Sequence, residues 1–281
     1  NAANDLTDGL RNVIIGSIAG DQATTIDDCV IIGYNAGGNA AMTGHDNVLI
    51  GKDAGQELAA GQQNIMIGRD CGQATSSGQH NVAIGHEALF TNIDGDGAVA
   101  IGFEALTTFE PADGQSYNVA IGYKAGKGVT TGNTSVIIGG LTCQAAFTGS
   151  ANVIIGTEAG NDLTAGQDNI AIGLAALDLE DVGSRNIAIG TNALGVSNQS
   201  GTTVNNCANM AVGFAAGNAV STGFHNTILG TEAGQTIQDG GRNTLIGKSV
   251  DVTASNVEDA IGLGNNIDAA ANDFSFGKAS H

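Results

Sequence analysis

The segment NVIIGTEAG at residues 152–160 is followed, after a short polar stretch, by a second copy of its first half, NIAIG at residues 169–173. In both copies an asparagine precedes an apolar triplet and a glycine closes it. The closing glycines recur at Gly16, Gly33, Gly51, Gly68, Gly85, Gly102, Gly122, Gly139, Gly156, Gly173, Gly190, Gly213, Gly230 and Gly247, with weaker copies at Gly262 and Gly277. Most neighbouring closing glycines are separated by the same interval as Gly156 and Gly173. A fixed interval of this length is typical of a solenoid, in which each repeat forms one coil stacked on the next.

The composition favours thin stacked layers over a single globular core. The chain has 281 residues, of which 42% are apolar but only 4% are aromatic, and it contains 44 glycines and one proline. Short β-branched runs bounded by asparagine and glycine are typical of strands. We predict an all-β fold, a parallel β-solenoid or β-roll of about 16 short coils with a 17-residue period. Residues 1–281 would form one elongated domain, with regular coils over 12–247 and shortened terminal coils over 248–281.

The charge balance excludes several classes of partner. The formal net charge is -19, and such an acidic surface disfavours nucleic acid and anionic membranes. No apolar run approaches the roughly 20 residues that a membrane-spanning helix needs. We therefore expect neither nucleic-acid binding nor membrane insertion.

Each triplet has two apolar faces, and this feature predicts an assembly. Side chains alternate along a strand, so the first and third residues share one face and the middle residue points away. We assign the first and third residues to the inside of the coil. The middle residue would then form an exposed apolar stripe, which soluble monomers rarely carry, and we predict that three copies pack this stripe around a common axis. The candidates for this trimer axis are Ile14, Ile31, Leu49, Met66, Ala83, Ile137, Ile154, Ile228 and Leu245.

The asparagine before each triplet and the four cysteines are both interpreted as structural. An asparagine at one fixed coil position can form a hydrogen-bonded ladder that satisfies the backbone of the turns. The cysteines at 29, 71, 143 and 207 form no CxxC pair, and Cys29 and Cys71 replace the Asn and Ala of other repeats. We expect all four to be small buried residues.

Two longer intervals indicate loops on the outside of the coils. The interval is extended between Gly102 and Gly122, and it is longest between Gly190 and Gly213. Insertions in a solenoid map to loops on one face, which is often the binding face. The receptor-binding candidates in these insertions are Phe109, Glu110, Tyr117, Asn198 and Gln199. The alternative is that these are tolerated loops whose aromatic residues cover the edge of a coil.

No pattern in the chain indicates catalysis, a cofactor or a metal. The stretch DGDG at residues 94–97 lacks the downstream ligands of a calcium-binding loop and is interpreted as an acidic turn. A metal site formed by His80 and His86 is not favoured, and we find no phosphate loop, nucleophile elbow or pair of catalytic carboxylates. We therefore predict a protein that is not an enzyme, with no cofactor and no bound metal.

The repeat resembles two groups of trimeric fibrous proteins. The pattern Asn-Val-Ala-Ile-Gly-x-x-Ala, at residues 81–88 and 118–125, is similar to the head of trimeric autotransporter adhesins and to the repeat shaft of bacteriophage tail fibres. The resemblance covers residues 12–247, and the shorter repeat of the adhesins favours the phage type. Residues 273–281 resemble the segment that precedes the self-cleaving intramolecular chaperone, of the peptidase S74 type, in such fibres. The resemblance implies a left-handed homotrimer assembled with the help of a C-terminal chaperone.

These observations lead to one main functional hypothesis with alternatives. The main hypothesis is a structural and adhesive segment of a virion tail fibre, which displays a surface that binds a polysaccharide or an outer-membrane protein of a host bacterium. The first alternative is the head of an adhesin on a bacterial cell surface. An ice-binding solenoid would need a flat threonine array, and a left-handed acyltransferase would need a six-residue repeat; the sequence favours neither of these two.

Overall fold

The chain folds as a parallel β-solenoid built from very short strands. The computed structural model describes residues 2–111, 114, 116–197 and 205–278, and within these ranges the regular structure is strand and turn, with no helix. The described residues belong to two compact units, residues 1–138 and residues 139–281. Sixteen strands, eight in each unit, mark the successive coils, so the predicted fold class is confirmed.

The first unit contains eight strands of three residues each. They are β1 (Val13–Ile15), β2 (Val30–Ile32), β3 (Val48–Ile50), β4 (Ile65–Ile67), β5 (Val82–Ile84), β6 (Val99–Ile101), β7 (Val119–Ile121) and β8 (Val136–Ile138). Each strand pairs in parallel with the next, and equivalent residues lie opposite each other, as Val30 does to Val48. The period of the sequence is therefore the length of one coil.

The second unit also contains eight coil strands, and it has two additional pairs of short strands. Its coil strands are β9 (Val153–Ile155), β10 (Ile170–Ile172), β12 (Ile187–Ile189), β14 (Met210–Val212), β15 (Thr227–Leu229), β16 (Thr244–Ile246), β18 (Ile261–Asn265) and β20 (Phe274–Lys278). The additional pairs are β11 (Gly183–Ser184) with β13 (Asn205–Asn206) and β17 (Asp251–Val252) with β19 (Asp268–Ala269). The pairings of these coil strands with one another and of the two additional pairs are all parallel.

The register of the last coils corrects the expected C-terminal boundary. Thr244 pairs with Ile261 and Leu245 with Gly262, so Gly262 occupies a middle position and is not a closing glycine. The closing residue of this coil is Gly264, which lies one full period after Gly247. Only the last coil is shortened, because Gly264 pairs with Gly277, and these two residues are closer in sequence than one period.

A glycine closes each triplet because no other residue fits there. At Gly85 the backbone φ is +138°, which L-amino acids rarely adopt, and a Cβ atom would lie 2.3 Å from the carbonyl oxygen of Gly102 in the next coil. The contact recurs within each unit: a Cβ atom on Gly51 would meet the carbonyl of Gly68, and one on Gly156 would meet the carbonyl of Gly173. Both backbone conformation and space therefore require glycine at this position.

The middle residue of each triplet faces the interior of its own coil, opposite to our expectation. The side chains of Ile31, Leu49, Met66, Ala83, Ile137, Ile154, Ile228 and Leu245 have no exposed surface, and Ile14 on the first strand is partly buried. The assignment of this row to a trimer axis is therefore wrong. The alternation of faces in a strand does not reveal which face is inside when both are apolar.

In most coils two interior positions exchange size, although both are small where Ala120 occurs with Gly126 and Ala211 with Gly217. The fourth residue after each closing glycine is a leucine in four coils with Ala in the middle position, and a glycine where the middle position is Ile, Leu or Met in most coils. Thus Ala83 occurs with Leu89, whereas Met66 occurs with Gly72. Close-packed interiors tolerate exchanges that conserve volume, which explains this exchange of size between two positions of one coil.

A ladder of buried asparagines holds the turns, as predicted. The Asn64 Oδ1 atom accepts a hydrogen bond from the backbone N–H of Asn81 at 3.0 Å, and its Nδ2 donates to the carbonyl oxygen of Gly78 at 2.9 Å. Asn81 repeats the pattern with the N–H of Ala98 and the carbonyl of Gly95. Each side chain thus links its own coil to the next and satisfies buried backbone groups.

Candidate interaction surfaces

The outer face of the coil strands is apolar along both units. The first and third residues of the triplets point outward, and they are half-buried or exposed. We call them the outer rows. In the first unit all sixteen residues of the outer rows are Val or Ile; in the second unit Thr227 and Thr244 are the polar members. None of the described outer-row residues carries a charge, although the chain has 28 acidic residues.

The outer rows end on two strongly exposed aromatic side chains. On β20, Phe274 is 60% exposed and Phe276 is 79% exposed, and their rings stack with centroids 6.5 Å apart. Near the other end of the chain, Val13 and Ile15 are 46% and 58% exposed. Soluble monomers rarely expose contiguous apolar patches of this kind, which typically mark interaction sites.

The receptor-binding candidates have different environments. Phe109 is fully buried, so its predicted role as an exposed contact is wrong. Leu58 and Val129 stand at the same distance after the closing glycines of their own coils as Phe109 does after its own. All three side chains are fully buried, so this coil position faces the interior. Tyr117 is 54% exposed. Asn198 and Gln199 lie outside the described residues.

Glu110 holds a turn and is only partly exposed. Its Oε2 atom accepts a hydrogen bond from the backbone N–H of Ile93 in the preceding coil at 2.8 Å. Burial raises the pKa of the Glu110 carboxyl above its ordinary value, and the nearby carboxylate of Asp94 acts in the same direction. These contacts give Glu110 a structural role in the first insertion.

A row of aromatic and cationic side chains lies on the outside of the first unit. The residue directly after the closing glycine is, in six successive coils, Tyr34, Lys52, Arg69, His86, Phe103 and Tyr123. We call this row the aromatic–cationic ladder. The rings of His86 and Phe103 stack at 5.3 Å, and those of Phe103 and Tyr123 at 5.4 Å, all within 10° of parallel. The period places these six residues at one coil position, but they differ in type, so the sequence alone does not mark them as a surface.

Carboxylates accompany the aromatic–cationic ladder on the next residue of four coils, namely Asp53, Asp70, Glu87 and Glu104. Lys52 contacts Asp53 at 2.9 Å, Arg69 contacts Asp70 at 2.9 Å, and Lys127 donates a hydrogen bond to Glu104. The bond from Lys127 lowers the pKa of the Glu104 carboxyl. This second row therefore pairs with the cations of the ladder and of Lys127.

One side-chain group in this region has the residue types of a metal site. Ligand atoms of Asp70, His86 and Glu87 lie within 4.8 Å of one another. The same Asp70 Oδ2 atom is 2.9 Å from Arg69 Nε and 3.9 Å from His86 Nε2. Because a guanidinium already neutralises this carboxylate, we interpret the group as an ion-pair cluster.

The cysteines and the acidic turn have structural environments. Cys29, Cys71, Cys143 and Cys207 are buried, as predicted, and burial raises the pKa of the Cys71 thiol to about 12. In the turn at residues 94–97, the Asp96 Oδ1 atom accepts a hydrogen bond from the backbone N–H of Gln79 at 2.7 Å.

No family model, no curated protein sequence and no solved structure matches the chain. In the described part of the chain, no helix has the length and apolar character of a membrane span. The described residues define a parallel β-solenoid whose outer rows are apolar and uncharged.

Proposed function

We propose that the chain is a structural and adhesive fibre segment whose copies associate through the outer rows. The observation that carries the proposal is the absence of charge from these rows, as far as the structure describes them, in a chain of net charge -19. A surface of Val and Ile that is left in water costs about 25 cal/mol per Å² relative to burial. Covering this surface therefore provides the driving force for assembly.

Further copies of the chain are the partners that suit this surface. Each outer row presents one side chain per strand, nearly always apolar, at the spacing of about 4.8 Å between neighbouring strands. A second copy presents the same side chains at the same spacing, so the two surfaces match along each unit. Three copies, rather than two, follow from the resemblance to trimeric fibres, and the role is structural and adhesive without catalysis or a cofactor.

Two resemblances support placement in a bacteriophage virion. The repeat at residues 81–88 and 118–125 is similar to tail-fibre shafts, and residues 273–281 resemble the segment before an intramolecular chaperone. In this proposal the chaperone assists trimerisation, and the exposed surface of the fibre attaches to the envelope of a host bacterium. The head of a bacterial surface adhesin is the second candidate, because the same repeat pattern resembles that family.

The proposal is tested by measuring mass and cell binding on the same preparation. Light scattering after gel filtration is expected to give three times the chain mass. Fluorescently labelled protein is expected to bind cells of a susceptible bacterial strain and not cells of strains that resist the same phage. A monomer would contradict the assembly, and a trimer that binds no bacterial cells would reduce the segment to a spacer.

A further inference from the structure

The aromatic–cationic ladder of the first unit forms an exposed surface with a composition unlike the rest of the chain. Tyr34, Phe103 and Tyr123 are 53%, 38% and 54% exposed, in a protein that is only 4% aromatic. Four of the nine Lys and Arg residues of the chain lie on or beside the ladder, namely Lys52, Arg69, Lys124 and Lys127. This concentration of rings and cations indicates a specific contact surface.

The charges of this surface balance. Four cations, Lys52, Arg69, Lys124 and Lys127, accompany four carboxylates, Asp53, Asp70, Glu87 and Glu104, which gives a formal charge of zero with His86 neutral. The rest of the chain therefore carries the whole excess of -19. A neutral surface does not concentrate a polyanion or a polycation by long-range attraction, so an uncharged ligand suits it best.

The rings and the ion pairs are held in place before any ligand arrives. The His86, Phe103 and Tyr123 rings support one another by stacking, and the Lys124 ammonium lies 5.8 Å from the centroid of Phe103 and 5.2 Å from that of Tyr123. The Lys52 ammonium lies 6.0 Å from the centroid of the Tyr34 ring. Because the side chains are already ordered, binding costs little conformational entropy.

We propose that the aromatic–cationic ladder binds an uncharged polysaccharide. This inference rests on the proposed adhesive function and specifies the partner. Sugar residues combine C–H surfaces, which pack against aromatic rings, with hydroxyl groups, which hydrogen-bond to Tyr hydroxyls, carboxylates and ammonium groups. The ladder repeats such groups once per coil, which suits a polymer that repeats a sugar unit along its length.

The ladder remains accessible in the proposed assembly. It is separated from the third residue of each triplet only by the closing glycine, and its ion pairs include Lys52 with Asp53 and Arg69 with Asp70. Charged groups are depleted from the dry centre of protein interfaces and are common at the rim. The ladder would therefore border the contact between copies and face solvent.

A printed array of bacterial surface polysaccharides, both neutral and anionic, tests the inference with the full chain. We expect binding to neutral polymers, and a loss of at least about tenfold in affinity, or about 1.4 kcal/mol, in the double variant Phe103→Ala/Tyr123→Ala. The matched control is Phe214→Ala, because Phe214 is 53% exposed at the same coil position of the second unit, between Thr191 and Thr231 in the neighbouring coils.

The outcomes separate this inference from the proposed function. Loss of binding in the double variant, with the control and the sedimentation coefficient unchanged, supports the ladder as the site. Binding to anionic polymers only, binding to none, or equal binding by the double variant would overturn it. Cell binding that survives periodate oxidation of the surface glycans but is lost after protease treatment would also overturn it, in favour of a protein receptor. None of these results would affect the proposed assembly, which is tested separately by the mass of the wild type and of variants in the outer rows.

Discussion

Gly72 lies against the side chain of Met66, so closely that a Cβ atom on Gly72 would be 2.5 Å from the Met66 sulfur. In the next coil the equivalent residues are Leu89 and Ala83, and both are fully buried. The two positions share one volume inside the coil. Leu89 has φ +56°, and Gly72 has the same φ, so the backbone accepts either residue.

This exchange predicts a compensating pair of mutations. Met66→Ala should destabilise the protein by about 2–5 kcal/mol because it leaves a cavity, and Gly72→Leu by about 1–3 kcal/mol because it overpacks the coil. The double variant recreates the combination of Ala83 and Leu89 and should recover most of the loss. A double-mutant cycle by chemical denaturation measures the coupling, and purely additive losses would contradict the shared volume.

The asparagine ladder predicts a large loss of stability when one of its side chains is truncated to alanine. Asn64→Ala leaves the buried N–H of Asn81 and the carbonyl of Gly78 without their partner, at about 1–3 kcal/mol for each group. The control is Asn39→Ala, since the exposed Asn39 bonds only to the Glu57 side chain among its described side-chain contacts, and it should change stability by less than about 0.5 kcal/mol. Denaturation at fixed protein concentration compares the two, and equal effects would contradict a structural ladder.

We predict that replacing a closing glycine with alanine destabilises the protein more than the same replacement at a different coil position. Gly85→Ala combines an unfavourable φ of +138° with a contact of 2.3 Å to a backbone oxygen, and we expect a loss greater than about 3 kcal/mol. Gly20→Ala is the matched control, because φ is +54° there and the nearest atom would be 3.5 Å away, so we expect roughly 1–2 kcal/mol. Thermal denaturation of the two variants checks the difference; a more harmful Gly20→Ala would contradict the stacking of closing glycines.

Glu110 predicts a pH dependence of stability with a defined sign. Burial raises the pKa of this carboxyl in the folded state, so the folded state binds its proton more tightly than the unfolded state does. Stability is then lost as the pH rises from the ordinary pKa of 4.5 through the raised value. Glu110→Gln keeps an oxygen acceptor for the N–H of Ile93 and should be more stable than wild type at neutral pH.

Melting temperatures measured across this pH range check the prediction. The advantage of Glu110→Gln should disappear below the ordinary pKa, where the wild-type carboxyl is protonated in both states. Glu232→Gln, at an exposed position, serves as the control and should follow wild type. An advantage of Glu110→Gln that is independent of pH would contradict the assigned cause.

Periodicity alone was sufficient to predict the coils, the strands and the asparagine ladder. The strands are very short and the repeat length is fixed, so the asparagine before each triplet and the glycine after it define where each strand begins and ends. The alternation of side chains does not show which face lies inside, because isoleucine occurs on both faces of β2, at Ile31 and at Ile32. The exchange of size between Met66 and Gly72 was the signal that could have decided it.

The other incorrect predictions concern residues whose neighbours in sequence suggest a different coil position from the one that they occupy. Gly262 follows Ile261 as a closing glycine would, but pairing places it opposite Leu245. Phe109 belongs to an insertion by sequence spacing, yet it occupies the interior position that Leu58 fills in another coil. The aromatic–cationic ladder was missed because its residues differ in type and become a surface only when the coils are stacked.

The central claim is that further copies of the chain cover the outer rows, and sedimentation equilibrium tests it most directly. Wild type is compared with the double variant Ile65→Asp/Ile121→Asp, at two outer-row positions that are exposed in the single chain, so that the new carboxylates are solvated when the chain is alone. We predict a trimeric wild type and a folded monomeric variant with unchanged circular dichroism, because unpaired carboxylates buried in the contact would cost several kcal/mol. A monomeric wild type, or a variant that keeps the wild-type mass, would contradict the claim.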